Sequence, residues 1–425
     1  MPPHPLGEAP GAPPRARLLP RLLPRLLPRL LAVLAVVLGT ALAGPAPEAR
    51  AAVTLTRVGD FGSNPGALAM YVYRPAVLPD HPSVVVALHG CTQGAQVYAD
   101  NSGLPQLADR DGFLLVLAET GTANNASKCF NWFQTGDNRR GQGEALSVRQ
   151  MVSRAVSAYG ADPQRVYVTG LSAGGAMTAV MLATYPDVFA AGAVVAGLPY
   201  DCTKDTSPYT CMNPGVDRSP ADWAQRARDA YPSYTGPWPR AAIWYGDQDT
   251  TVVPRNATEL RDQWTALHGL SQTPTRTTTI GPDATRQDQY LAADGTVAVE
   301  VDRVPGIGHG TPVDPGTGGE QCGSTGAPYF LDSICSSRWI ARFFGLDTTT
   351  PGDPGPGDPD PGGGTAACWT ASNYAHVQAG RATTSGGYAY AKGSGQNMGL
   401  YNTFVTHTLK ESPTGYFSLA DTGCP

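Results

Sequence analysis

Charge is scarce in this 425-residue chain, where Asp, Glu, Lys and Arg together make up 15% of the residues. The formal net charge is −5, and no cluster of Lys or Arg is concentrated enough to draw a polyanion. Nucleic acid is therefore excluded as an expected partner. Long apolar runs are also missing, except at 30–43, so no segment of the body would cross a membrane. The eight cysteines include no Cys-x-x-Cys and have no His at ligand spacing, which leaves a zinc site without its donors. What is present is a hydrophobic fraction of 41%, too high for a disordered chain, over a length that accommodates one large domain and one small one.

Residues 1–52 read as an export signal. Arg15, Arg17, Arg21, Arg25 and Arg29 form a positive region, 30–43 an apolar one too short to span a bilayer comfortably, and Ala49-Arg50-Ala51 a small-x-small cleavage site. Ala41-Leu42-Ala43 is a second such site. Six Arg and two Glu leave with this leader, so the mature chain is more acidic than the whole. All eight cysteines lie beyond it, as expected of disulfides in a soluble, extracellular protein. Close spacing pairs Cys202 with Cys211 and Cys322 with Cys335; isolation pairs Cys368 with Cys424; Cys91 and Cys129 remain for each other.

The body, 53–346, alternates short β-branched runs with helical ones. Strands are expected at 83–88, 113–117, 165–169, 241–245 and 297–301, and helices at 144–159, 173–184 and 337–344. The run 83–88 is nearly unbroken in apolar residues, as for a strand buried on both faces. Such alternation implies an α/β domain with a mainly parallel sheet covered on both sides. Residues 347–364 are Pro, Gly, Asp and Thr only, a solvated tether. Beyond it, 365–425 is a small accessory module in which a disulfide supports a marginal core.

Gly170-Leu171-Ser172-Ala173-Gly174 is a Gly-x-Ser-x-Gly sequence between an expected strand and an expected helix. A nucleophilic serine needs its hydroxyl lifted clear at a sharp strand-to-helix turn, and small neighbours let the backbone bend there. The base must follow in the chain order Ser, acid, His. His4 leaves with the leader, His81 and His89 precede the serine, His268 ends a helix, and His376 and His407 belong to the accessory module. His309, in a Gly-rich loop after 297–304, remains. Between serine and base, Asp247 and Asp249 follow the strand ending at Tyr245. Asp249 is assigned as the acid, because the chain needs a few residues past the Gly246 turn to re-aim, and Asp247 as a turn cap. The oxyanion is expected to be held by the backbone amides of Ala173 and Cys91, the latter in a loop clamped by its disulfide.

The segments Leu88-His89-Gly90-Cys91-Thr92-Gln93, Cys129-Phe130-Asn131-Trp132-Phe133, Arg140-Gly141-Gln142-Gly143-Glu144 and Gly170–Gly175 resemble the catalytic domain of extracellular poly(3-hydroxybutyrate) depolymerases and related esterases. With the oxyanion loop ahead of the serine, the order is similar to the non-permuted type. The tail, with Asn373-Tyr374, 379–382, Gly395-Gln396-Asn397 and 400–404, resembles the family's polymer-binding domain. The short Pro/Gly/Asp tether departs from the fibronectin-like or Thr-rich linkers of many members. The resemblance implies an α/β-hydrolase fold and a serine esterase acting through an acyl-enzyme on a solid polyester granule. No cofactor is needed, and a monomer suffices. Trp132 and Phe133 are then candidate apolar walls of the site. In the tail, Tyr374, Tyr388, Tyr390 and Tyr401 are candidate adsorbing rings, with His376 and Arg381 as polar contacts. Two rivals stand beside this reading: a feruloyl or acetyl xylan esterase with a carbohydrate-binding tail, and a surface-adhesion protein in which Ser172 is vestigial.

Overall fold

The computed structural model describes residues 52–326, 328–347, 368–411 and 417–421. The leader, the tether from 348 onward and Cys424, with the fourth expected disulfide, lie outside the described residues. Ten strands build the large sheet: β1 (Thr56–Val58), β2 (Ala69–Tyr73), β3 (Val84–Leu88), β4 (Leu114–Glu119), β5 (Val166–Leu171), β6 (Ala191–Val195), β7 (Arg240–Gly246), β8 (Arg276–Ile280), β9 (Thr285–Leu291) and β10 (Val297–Val304). Their order is β1-β2-β4-β3-β5-β6-β7-β10-β9-β8. The six strands from β4 to β10 are parallel, and the two at each edge are antiparallel.

Alternation along the central strands divides the core in two. Val84, Val86 and Leu88 of β3 pack with Leu114, Val116 and Ala118 of β4 on one face, against the helices Gly143–Tyr159 and Ala173–Thr184. Val85 and Ala87 join Leu115 and Leu117 on the other, with the helix Ser336–Phe344. A strand with both faces buried has no reason to alternate polar with apolar, which is why 83–88 reads as a continuous run. The helix Gly143–Tyr159 stops at Gly160, whose φ of 66° is left-handed and free of the Cβ clash.

The expected strands and helices of the body are all present within a few residues. Unread in the sequence were β1, β2, β6, β8 and β9. Strands β8 (RTTTI) and β9 (TRQDQYL) form one edge of the sheet, where solvent or a polar layer replaces a second apolar face. Strand β6 (AGAVV) is fully buried but nearly featureless, with small residues where helices cross closely.

Two short strands, β11 (Thr311–Val313) and β12 (Phe330–Asp332), pair in parallel beyond β10. The disulfides Cys91–Cys129, Cys202–Cys211 and Cys322–Cys335 are formed as the spacing argument paired them. Described by itself, the tail holds two three-stranded sheets around a small core that includes Ala389, Ala391, Met398, Leu409 and Phe417. Among the described residues no helix is long and apolar enough to cross a membrane.

Candidate active site

The residues singled out in the large domain gather at the C-terminal ends of the parallel strands, where open α/β sheets bind ligands. Strand β5 ends at Leu171, and Ser172 follows with φ 57° and ψ −115° before the helix starting at Ala173. That conformation is disfavoured for an L-residue by about 1–3 kcal/mol. It persists because the surroundings dictate it. The Ser172 amide donates to the Val195 carbonyl (2.9 Å), and its carbonyl accepts from Ala176 (2.8 Å). The flanking glycines are needed for close approach: a Cβ on Gly174 would lie 2.2 Å from the Leu88 oxygen, and one on Gly170 would lie 2.6 Å from Gly174 backbone. Small residues around the serine thus let helix, β3 and β5 meet.

Strand β7 leads to Asp249, the candidate acid. Asp249 is buried, and its Oδ1 accepts from the amides of Thr251 (2.8 Å) and Val252 (2.9 Å), while Oδ2 faces His309 Nδ1 at 2.7 Å. Asp247 caps instead, accepting from the Gly306 amide (2.8 Å) and pairing with Arg303 (2.9 Å), which braces the His309 loop. These contacts on Gly306, together with Gly246 packed under Ile307 and Gly308, fix the loop that carries the imidazole.

The loop after β3 is held from several sides. Its Cys91 is joined to Cys129, Thr92 donates to Ser127 (2.7 Å), and Gly90 donates to Gln93 Oε1 (2.8 Å). The amide of Cys91 lies between Gly90 and Thr92, whose own amides are both hydrogen-bonded. The amide of Ala173, first in its helix, has no preceding turn to bond to and is one of the terminal donors a helix leaves over. His89 beneath this loop is buried. Its Nδ1 donates to the Gly90 carbonyl (2.7 Å), and its Nε2 accepts from the Thr120 amide (3.2 Å). Burial pushes its pKa down, which keeps this one tautomer neutral.

Glu144 was quoted in the sequence only as part of a motif, yet it is fully buried and organises the neighbouring loop. Its carboxyl accepts from the Asn131 amide (2.7 Å) and meets the Thr120 hydroxyl (3.4 Å), and desolvation raises its pKa to about 8. Nothing in its spacing distinguishes it from a surface glutamate in the first turn of a helix.

Of the expected contact residues, Trp132 and His376 need correction. Trp132 is 7% exposed and packs in the core cluster, edge-on to Phe133 at 5.5 Å, whereas Phe133 is half-buried. Trp132 therefore supports the floor of the loop, and Phe133 is the more accessible of the two. His376 is 0% exposed, with Nε2 on the His407 carbonyl (2.9 Å) and Nδ1 accepting from Arg381 (3.1 Å). Arg381 is half-buried and lies over the Trp369 ring at 5.3 Å. His376 serves the tail's interior, where a buried imidazole must satisfy its two nitrogens, and Arg381 is one of its partners. Among the described residues of the tail, the exposed large apolar groups are Tyr374, Tyr388, Leu400 and Phe404. Nothing in the sequence marks Leu400 or Phe404 as outward-facing, because a single exposed apolar residue has no periodicity to reveal it. Among the described residues no group of His, Cys, Asp or Glu side chains converges as a metal site would.

Strand order and the turn at Ser172 place the chain among the α/β-hydrolases. The solved acetyl xylan esterase from Aspergillus awamori superposes with a TM-score of 0.56 at 32% identity, covering 60% of this chain and 94% of that one. Residues 67–286 match the family described as Esterase PHB depolymerase, and the chain belongs to that family. It is 51% identical over 294 residues to poly(3-hydroxyalkanoate) depolymerase C of Paucimonas lemoignei, 69% of this chain and 70% of that relative. The acetylxylan esterase of Coprinopsis cinerea is 39% identical, over 63% of this chain and 72% of that protein. The chain is a carboxylic ester hydrolase.

Proposed function

We propose that the mature protein is an extracellular serine esterase that hydrolyses poly(3-hydroxybutyrate) or a similar short-chain polyhydroxyalkanoate to 3-hydroxyacid monomers and oligomers. The observation that carries the chemistry is the left-handed conformation of Ser172 at the end of β5, in the same sheet whose later loops pair His309 with Asp249. His309 takes the Ser172 proton as the hydroxyl oxygen attacks the ester carbonyl. The resulting oxyanion is held by the amides of Cys91 and Ala173. Collapse breaks the bond to the alcohol oxygen, which leaves with the proton from His309. A water molecule, deprotonated by the same imidazole, then attacks the acyl-enzyme, and the proton returns to Ser172 as the 3-hydroxyacid departs. Asp249 holds the tautomer and offsets the imidazolium charge.

Identity to the Paucimonas lemoignei depolymerase exceeds that to the acetylxylan and feruloyl esterases, which supports a polyester substrate. The tail supports it as well. Tyr388 stands opposite Leu400 in neighbouring strands, and Tyr374 stacks on the half-buried Tyr401 at 5.6 Å, so that each exposed tyrosine has an apolar neighbour. Phe404, 90% exposed, stands close by in sequence. Such a surface suits adsorption to an apolar solid, and a tether raises the local concentration of the hydrolase there. We place the domain limits at 53–346 and 365–425, with 1–52 as the leader. The disulfides accord with export, and a tethered hydrolase of this kind acts as a monomer. A carbohydrate esterase is the second reading, favoured by the Aspergillus awamori structure.

Clearing of a poly(3-hydroxybutyrate) granule suspension tests the proposal with the mature protein, Ser172→Ala, and a chain ending near Asp347. Clearing should vanish with Ser172→Ala and fall sharply on truncation, while soluble-ester hydrolysis survives truncation. Good hydrolysis of soluble esters without clearing would overturn the polyester assignment in favour of acetylated or feruloylated xylan.

A further inference from the structure

Beside His309 lies a residue to which the sequence assigned no role. The Tyr329 ring meets the imidazole edge-on, with centroids 5.6 Å apart and planes at 72°, and it is 39% exposed. Its φ of 75° is left-handed, a conformation that disfavours a bulky side chain. The backbone is held there from three directions. The Tyr329 carbonyl accepts from the Thr311 amide (2.7 Å), Phe330 pairs with Thr311 in the β11–β12 register, and the segment is closed by Cys322–Cys335. Pro328, just before it, accepts from Gln93 Nε2 at 2.9 Å. The same Gln93 takes the Gly90 amide on its Oε1 at 2.8 Å and is 2% exposed. One buried side chain therefore joins the loop containing Cys91 to the turn carrying Tyr329, across 235 residues of sequence.

The chemistry says which part of the substrate this turn would meet. His309 must give its proton to the departing alcohol oxygen, so the alcohol fragment comes within hydrogen-bond reach of the imidazole. A half-exposed ring against that imidazole adjoins the alcohol fragment before it adjoins the acyl tail. We propose that Tyr329 is a specificity-determining residue for the alcohol side of the ester, and that Gln93 is a positioning residue keeping it in register with the oxyanion loop. The inference rests on the serine-esterase reading above. In a polyester the alcohol side is the branched C3 carbon of the next hydroxyacid unit, an apolar group that a fixed aromatic wall can grip.

Tyr329→Gly removes the ring and suits the backbone angle, so the variant should fold. Two ester series are compared: butanoates of methanol and of 2-butanol, and methyl esters from acetate to octanoate. In Tyr329→Gly, kcat/KM for the 2-butyl ester should fall about tenfold relative to the methyl ester. The acyl-length preference should stay within about twofold. Gln93→Ala should lower the same alcohol ratio, and the double variant should lower it no further than Tyr329→Gly alone, as two residues acting through one contact require. An alcohol ratio that does not move, equal shifts in both series, or additive effects in the double variant would each overturn the proposal. If Gln93→Ala does not fold, the Tyr329→Gly result decides alone. A wild-type protein inactive on every ester, with Ser172 unlabelled by an organophosphate, would sink the esterase reading and this inference together. An active enzyme with an unmoved ratio sinks only the inference.

Discussion

Asp249 and His309, 60 residues apart, meet at 2.7 Å, and the carboxylate's other oxygen is held by the amides of Thr251 and Val252. The acid is thereby oriented by its own turn before it orients anything else. Asn at 249 would keep an oxygen for the two amides and turn its NH2 toward His309 Nδ1, imposing the wrong tautomer on the imidazole. Asp249→Asn is expected to lower kcat on a soluble ester by about 10³–10⁴-fold with an unfolding midpoint close to wild type. A fall of less than tenfold would remove Asp249 from the proposed triad.

Gly174 tests the elbow by packing alone. Gly174→Ala puts a methyl group against the Leu88 and His89 carbonyls, both backbone and neither free to swing away. A loss of about 1–3 kcal/mol in unfolding free energy is expected by denaturant titration. Activity should fall with it, because Ser172 and its helix must shift.

Glu144 makes stability depend on pH. Its folded-state pKa of about 8 lies above its ordinary value of 4.5, so the folded protein binds this proton more tightly than the unfolded chain does. The contribution is complete below about pH 4.5 and is lost as pH rises toward and through 8. Glu144→Gln has no proton to lose and still offers an oxygen to Asn131. Thermal unfolding measured from pH 4 to 9 should fall less steeply for the variant at the alkaline end, and parallel curves would refute the assignment.

The Cys91–Cys129 disulfide closes a loop with a sequence separation of 38. Cys129→Ser should cost about 3–4 kcal/mol of stability by the loop-entropy argument. If the Cys91 amide holds the oxyanion as proposed, the substitution should also lower kcat more than it raises KM, since a loosened donor stabilises the transition state less and leaves the ground state alone.

In the tail, Phe404→Ser combined with Tyr374→Ser should weaken sedimentation with poly(3-hydroxybutyrate) granules several-fold and leave soluble-ester hydrolysis unchanged. His376→Ala should instead destabilise the module, because it leaves the His407 carbonyl and Arg381 without the buried partner each now has. Equal granule binding by the exposed-ring variant and wild type would remove this surface from the proposal.

How far the sequence could be read depended on how local each requirement is. The Gly-x-Ser-x-Gly turn is legible because the close approach around Ser172 admits only small residues beside it, and the buried strands because both their faces are apolar. The order Ser, acid, His singled out Asp249 and His309, whose side chains meet in the fold, because connectivity leaves few candidates. Sequence alone could not distinguish Phe133 from Trp132 as the more accessible ring, or separate an inward His376 from an outward one, because burial depends on what packs opposite. Glu144, Gln93 and Tyr329 were decided by tertiary structure alone. Each acts through contacts with distant segments, and their geometry exists only once the parallel strands bring the loops at their C-terminal ends together.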